Sequence, residues 1–448
     1  MKKPHRALRD IFNSTKLRRA FLAVAGTAAL VSSPIVLADQ WPKTTPVVVP
    51  CEEPARVPAR PAIPYDELLF QQNDAVPSDL LKSMTEKERL QFYMNRFCFT
   101  ADQRANDNNP DRAHLVTALD TLSALTYMGR PLIDLAVDSK LHFCALPHLP
   151  AGTAAQYMAG YDFVAATRNA APQGEVLDLA HEITHAAQGR QGLLNYSYYW
   201  DIESRVRRNL VDEAAPVAME YAVAYEKKLN GDDSYWTYLK AHTASSAYTD
   251  PANHLAFETA YNAGIASGKT QADALRDGAH VVFERVFNSP EWRNFYLNSE
   301  LNSYLSDLAD GKFRQFPTIQ RNGFDDNDVA NASKVGDLPG FTAGAEVPSY
   351  AQLLNHDQKM AWAYEAVDLA RLRQSLGADA PEVQQLAAKA AADKNPYLTL
   401  DLAEVSRRAE AAKWDTGLQY TYRIMDKMLT EPAPVPKICF AAPPKPAA

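Results

Sequence analysis

In the stretch "LDLAHEITHAAQGRQG" (residues 177–192), His181 and His185 stand four positions apart, and Glu182 follows the first. On an α-helix, residues four apart lie one turn from each other on the same face, so both imidazoles can reach one cation. Imidazole nitrogen suits Zn2+, which in catalytic sites takes three protein ligands and keeps a fourth position for water. Glu182 is offset by one residue. That sets its carboxylate beside the cation rather than on it, within reach of the water. The pattern points to a zinc-activated hydrolytic water with Glu182 as its general base. Three such positions coincide by chance about once in a hundred chains of this size and composition. The plain alternative is a helix that carries two solvated or core-satisfied histidines.

The neighbouring residues favour the helix that this chemistry needs. Val176, Leu179, Ile183 and Ala187 supply a face to bury. The polar loop "RNAAPQG" ends at Gly174, so the helix is expected to begin near Glu175 and to stop at Gly189 or Gly192. A third histidine ligand of the metzincin kind needs glycine at position 188 and histidine at 191. This chain has Gln188 and Gln191, and the reversed H-x-x-E-H order is absent. The third ligand is then expected to be a carboxylate on a downstream helix. The helical stretch from about 202 to 229, bent at Pro216, offers Glu203, Glu213 and Glu220.

"LAHEITHAAQ" followed by "VDEAAPVAMEYAVAYE" resembles the zincin metallopeptidases of the glutamate-ligand (gluzincin-like) type. More narrowly, it resembles an uncharacterised bacterial family read as zinc metallopeptidases. The resemblance covers roughly residues 80–310 and is strongest over 155–228; "EWRNFYLNSELNSYL" (291–305) is similar to that family's closing helix. It implies a mainly α (α+β) fold: a zincin-like core with a small edge sheet and an active-site helix, plus a C-terminal helical block. It implies Glu213 as third ligand, with Glu203 and Glu220 as rivals, and peptide or protein as substrate. Small residues after Glu213 (Ala214, Ala215, Ala218) would let that helix approach the histidine helix closely. Asp178, one turn before His181, is a candidate to hold an imidazole, though an ordinary exposed acid is the simpler reading. Tyr248, His254 and His280 are unranked candidates for oxyanion stabilisation. By analogy, "AGYDFVA" (159–165) is the candidate edge strand that pairs with substrate.

The rest of the chain divides by composition. Residues 1–38 hold seven of the 46 Lys+Arg and one of the 54 Asp+Glu, leaving 39 bases against 53 acids. A basic leader thus precedes an acidic body, which argues against nucleic acid as a partner. "LRRAFLA" resembles a twin-arginine signal, departing from it at Leu17 and Ala23, and Val36-Leu37-Ala38 fits a small-residue cleavage site. A periplasmic or secreted location is expected, with no membrane span after signal removal. Residues 39–77 read as a Pro-rich arm, 78–310 as the catalytic domain, 311–348 as a linker, 349–430 as a helical domain and 431–448 as a Pro-rich tail. Four cysteines in an exported chain suggest two disulfides, with Cys98–Cys144 and Cys51–Cys439 expected. Helices are expected from a Ser78 cap to Phe97 and from an Asp111 cap to about Tyr127, and strands within 139–168. The alternative function is a catalytically inactive, zinc-holding envelope scaffold. The sequence sets no oligomeric state.

Overall fold

A computed structural model describes residues 83–430, apart from 147, 148, 150–152, 160, 161, 168–170, 195–198, 244–249, 251, 316–323, 337, 342–357 and 413–419. The leader, the Pro-rich arm, the tail, Ser78, Tyr248 and the expected Cys51–Cys439 bridge lie outside the described residues.

The first helix, α1 (Glu86–Phe97), starts at a capping box in which Thr85 and Glu88 satisfy each other's backbone N–H groups. Strand β1 (Cys98–Thr100) follows. Helices α2 (Ala113–Ser123) and α3 (Gly129–Asp138) come next. Asp111 does not cap α2: Arg112 holds that position without a side-chain bond, and the chain breaks before Tyr127 into α3. Strands β2 (His142–Leu146), β3 (Ala155–Met158) and β4 (Phe163–Thr167) complete a four-stranded sheet of order β1-β2-β4-β3. The β2–β4 pair is parallel and both outer pairs are antiparallel. Cys98 and Cys144 face each other across β1 and β2 and form the expected disulfide.

The edge strand differs from the expectation. Of residues 159–165, Phe163, Val164 and Ala165 open β4, an interior strand with an almost unbroken buried run. Among the described residues the edge strands are β1 and β3, and β3, one element earlier, is the one that borders α4. An aromatic and β-branched composition marks a buried strand as readily as an edge.

Helix α4 (Pro172–Arg190) carries the two histidines. It begins three residues before Glu175 because Pro172 suits the first helical position, where no N–H is needed. It ends in a Schellman motif: Gly192, at φ 78°, donates to Gly189 and Leu193 donates to the Gln188 carbonyl. Helix α5 (Ile202–Leu229) starts at Asp201, whose carboxylate accepts from the Ser204 N–H at 2.7 Å. Pro216 lies inside α5 and has no N–H to give the Asp212 carbonyl one turn back. Helices α4 and α5 pack through small residues; Ala180, Ala186, Ala214, Ala215 and Ala218 are all fully buried. Sheet strands β3 and β4 cover another side of α4.

Helices α6 (Ser234–Thr243), α7 (Ala252–Ala266), α8 (Gln271–Phe287) and α9 (Pro290–Ala309) enclose α5. A short α10 (Asp326–Asn331) leads to α11 (Gln358–Leu376), α12 (Pro381–Ala392), α13 (Leu402–Ala412) and α14 (Tyr420–Thr430). These last helices build on α9: the Tyr364 hydroxyl donates to the Leu297 carbonyl at 3.1 Å, and the Thr421 N–H donates to Asn298 Oδ1 at 3.0 Å. Their apolar residues join the main core. Arg371, fully buried on α11, donates to the Trp200 carbonyl at 2.6 Å, just before α5. The described residues are mainly helical with one small sheet, as the sequence suggests. Among the described residues no helix is long and apolar enough to cross a membrane.

Candidate metal centre

Two faces meet where α4 crosses α5. From α4, His181 and His185 turn their Nε2 atoms toward each other, 3.1 Å apart. From α5, Glu213 Oε2 lies 3.5 Å from His181 Nε2 and 4.0 Å from His185 Nε2. A tetrahedral zinc with bonds near 2.0–2.1 Å separates its ligands by about 3.4 Å. The three separations, 3.1, 3.5 and 4.0 Å, bracket that value. Their side chains are 16, 13 and 14 % exposed, sheltered yet reachable from solvent.

The far side of each ring explains why the near side is available. His181 Nδ1 lies 2.5 Å from Glu220 Oε1, two turns beyond Glu213 on the same face of α5. His185 Nδ1 lies 2.9 Å from Gln188 Oε1, with Asp212 Oδ1 farther off at 3.4 Å. With both Nδ1 atoms donating, both Nε2 atoms carry lone pairs. Two lone pairs and a carboxylate oxygen then converge on one point, which calls for a cation or a proton.

Electrostatics says the same. Burial alone would depress both histidines. Against it, Glu213 and Glu220 lift His181 well above its ordinary value, and Asp212 with Glu213 pushes His185 up to about 9. Positive charge is favoured between these groups.

Glu182 is not a member of the ligand triangle. Its Oε2 accepts the backbone N–H of Tyr157, on the free-edge strand β3, at 2.5 Å. Burial raises its pKa; the two histidines and the Tyr157 N–H draw it back only in part. A carboxylate moved toward neutrality suits a group that must take a proton and give it back. The strand that holds Glu182 is itself clamped to α4. The Tyr157 hydroxyl donates to Asp162 at 2.9 Å, and Asp162 pairs with Arg190 at 2.8 Å. Gly189 makes room for the Tyr157 ring: a Cβ there would sit 3.1 Å from the Tyr157 hydroxyl oxygen.

The remaining sequence candidates fall elsewhere. Glu203 is in the first turn of α5, ten residues and about 15 Å before Glu213. Glu220 backs His181 rather than joining the triangle. Asp178 is not an exposed acid: burial, reinforced by the Glu220 charge, raises it to about 8, and it does not hold His181. His254 stacks among Tyr221 and Trp236, and His280 pairs with Glu284 on its own helix. Gln188, Asp212 and Tyr157 were not singled out as functional by the sequence. Gln188 had a signal, lying three residues after His185 on the same helical face. Tyr157 acts through its backbone, which sequence does not display.

Residues 93–327 match the family described as "Putative metallopeptidase family (DUF6782)". The chain belongs to that family. The resemblance to an uncharacterised metallopeptidase family is therefore borne out, and a metal-dependent hydrolase of peptide bonds is the activity the description indicates. The match takes in the sheet, α4, α5 and the closing helix α9 of this metallopeptidase-family member, while α11–α14 lie beyond it. No curated protein and no solved structure matches the chain.

Proposed function

We propose that the protein is an exported zinc-dependent peptidase, with His181, His185 and Glu213 holding the zinc and Glu182 acting as general base. One observation carries the reading: two imidazole lone pairs and a carboxylate oxygen meet within zinc-ligand spacing, with Glu182 on the adjoining face of the same helix. Two nitrogens and one oxygen are the donor set of a glutamate-ligand catalytic zinc. When bound, zinc supplies Lewis acidity, polarising a scissile carbonyl and making water acidic enough to ionise near neutral pH.

The chain's own residues do the rest. Glu182 takes a proton from the attacking water on its carboxylate and returns it to the leaving amine nitrogen. The Tyr157 N–H steadies that carboxylate from the edge strand. The free edge of β3 borders Glu182, where an extended peptide can add as a further strand. Export is proposed from the basic leader and its twin-arginine-like "LRRAFLA".

The mature chain, purified without chelators, should contain about one equivalent of zinc; less than about half overturns the zinc reading. Glu182→Gln should retain the metal and lose turnover of a peptide library by about 100- to 10,000-fold. A cellular role that Glu182→Gln leaves unaltered would favour the inactive scaffold.

A further inference from the structure

Gln188 stands where a third-histidine zinc site would place glycine, and here it is put to a different use. Its side chain is 1 % exposed. Its Oε1 faces His185 Nδ1 at 2.9 Å, and its Nε2 donates to the Val211 carbonyl of α5 at 3.4 Å. Its backbone carbonyl accepts from Leu193 in the motif that ends α4. The amide therefore bridges the two helices that supply the metal ligands, at the last full turn before the chain leaves α4.

A histidine that binds through Nε2 must carry its remaining proton on Nδ1, and the partner of that proton fixes tautomer and ring angle. An amide can present either an acceptor or a donor. Here Val211 offers only a carbonyl, so the NH2 end must face α5 and the oxygen must face His185. The nearer carboxylate rival, Asp212, is engaged elsewhere as well: Arg208, one turn before it, pairs with its other oxygen at 3.3 Å. The structure thus backs the two ligand rings unequally, His181 with a carboxylate at 2.5 Å and His185 with a neutral amide at 2.9 Å and a carboxylate only at 3.4 Å.

We propose that Gln188 is a positioning residue for the metal, holding His185 in the Nδ1–H tautomer through an amide locked against the Val211 carbonyl. The proposal rests on the zinc reading given above. It concerns an outer partner only: Gln188 touches neither substrate nor metal.

The test uses the full mature chain as wild type, Gln188→Met and Gln188→Glu. Zn2+ affinity is measured by competition with a chelator, and geometry by the visible absorption of the Co2+-loaded protein. Methionine matches the length and helix preference of glutamine but accepts no hydrogen bond. It should weaken zinc binding by about 10- to 100-fold, as loss of an outer partner does elsewhere, and alter the Co2+ spectrum. Glutamate keeps an acceptor facing Nδ1 but turns its second oxygen on the Val211 carbonyl, and should bind zinc more tightly than Gln188→Met. Equal losses in both variants mean that packing alone is at stake, and overturn the proposal. So does a folded Gln188→Met chain within about twofold of wild type. If Gln188→Met does not fold without metal, nitrogen-15 resonances of His185 in the zinc-loaded wild type decide: coordination through Nε2 with a protonated Nδ1 supports the proposal, and coordination through Nδ1 overturns it. A wild type that holds less than about half an equivalent of zinc instead overturns the zinc reading itself, a result distinct from any difference between variants.

Discussion

The two histidines of α4 have the same chemistry and one turn between them, yet their surroundings divide. His181 is backed by Glu220, a carboxylate reaching in from α5, with Asp178 nearby and raised to about 8 by burial. His185 is backed by Gln188 from its own helix, and its nearest carboxylate, Asp212, shares its charge with Arg208. A full anion behind an imidazole increases its basicity and its hold on a metal. A neutral amide fixes the ring but adds less charge. The difference teaches how five acids (Asp178, Glu182, Asp212, Glu213 and Glu220) can crowd one cation site: protonation, an arginine partner or a backbone N–H relieves some of them.

The sharpest break removes what both sides share. Glu213→Gln takes the anionic ligand out of the triangle and should lower zinc affinity by more than the roughly 100-fold that marks the upper range for outer partners. Metal retained by Glu213→Gln at wild-type affinity would move the third ligand elsewhere. Next comes the asymmetry itself. Glu220→Leu should cost close to about 100-fold in affinity, more than the loss at Gln188, because it deletes a charge as well as a hydrogen bond. Chelator competition on both variants ranks the two sides; the reverse order would contradict the comparison.

Proton competition gives a smaller and graded effect. Zinc needs neutral imidazoles, whereas the metal-free protein favours charged ones. Zinc affinity should therefore climb as pH rises toward about 9, the value for His185, and proton release should accompany binding in weakly buffered solution. The sign for folding is opposite. A histidine raised from 6.5 to about 9 stabilises the metal-free fold below 6.5, and that contribution is lost as pH rises through about 9. Melting curves of the metal-free chain across this range should fall where those of the zinc-loaded chain do not. The mildest perturbation is Gly189→Ala. Helix preference favours alanine by up to about 1 kcal/mol, while the added Cβ presses on the Tyr157 ring. Stability should change by less than about 1 kcal/mol, and turnover should fall by several-fold because Tyr157 holds Glu182. Unchanged turnover would detach the edge strand from the placing of the base.

Much of this was legible in the residues. The spacing of His181, Glu182 and His185 implies a shared helical face, and α4 provides it. Glu213 follows in an alanine-rich stretch, and α5 runs over the residues that its periodicity marks. The Cys98–Cys144 bridge was also within reach, because Cys51 and Cys439 both lie in Pro-rich terminal stretches and leave it as the other pairing. The edge strand was not, since a strand's place in a sheet depends on which neighbours pair with it. Nor was the fate of Asp178, whose burial comes from other elements.

The sequence by itself thus determined the candidate ligand types, their spacing and the helices that carry them, because period and capping are local properties. Only the tertiary structure decided which acid completes the triangle, which one backs a histidine, and which backbone N–H meets Glu182. Those choices depend on how α4, α5 and β3 approach one another, and a one-turn shift between α4 and α5 would take Glu213 out of the triangle.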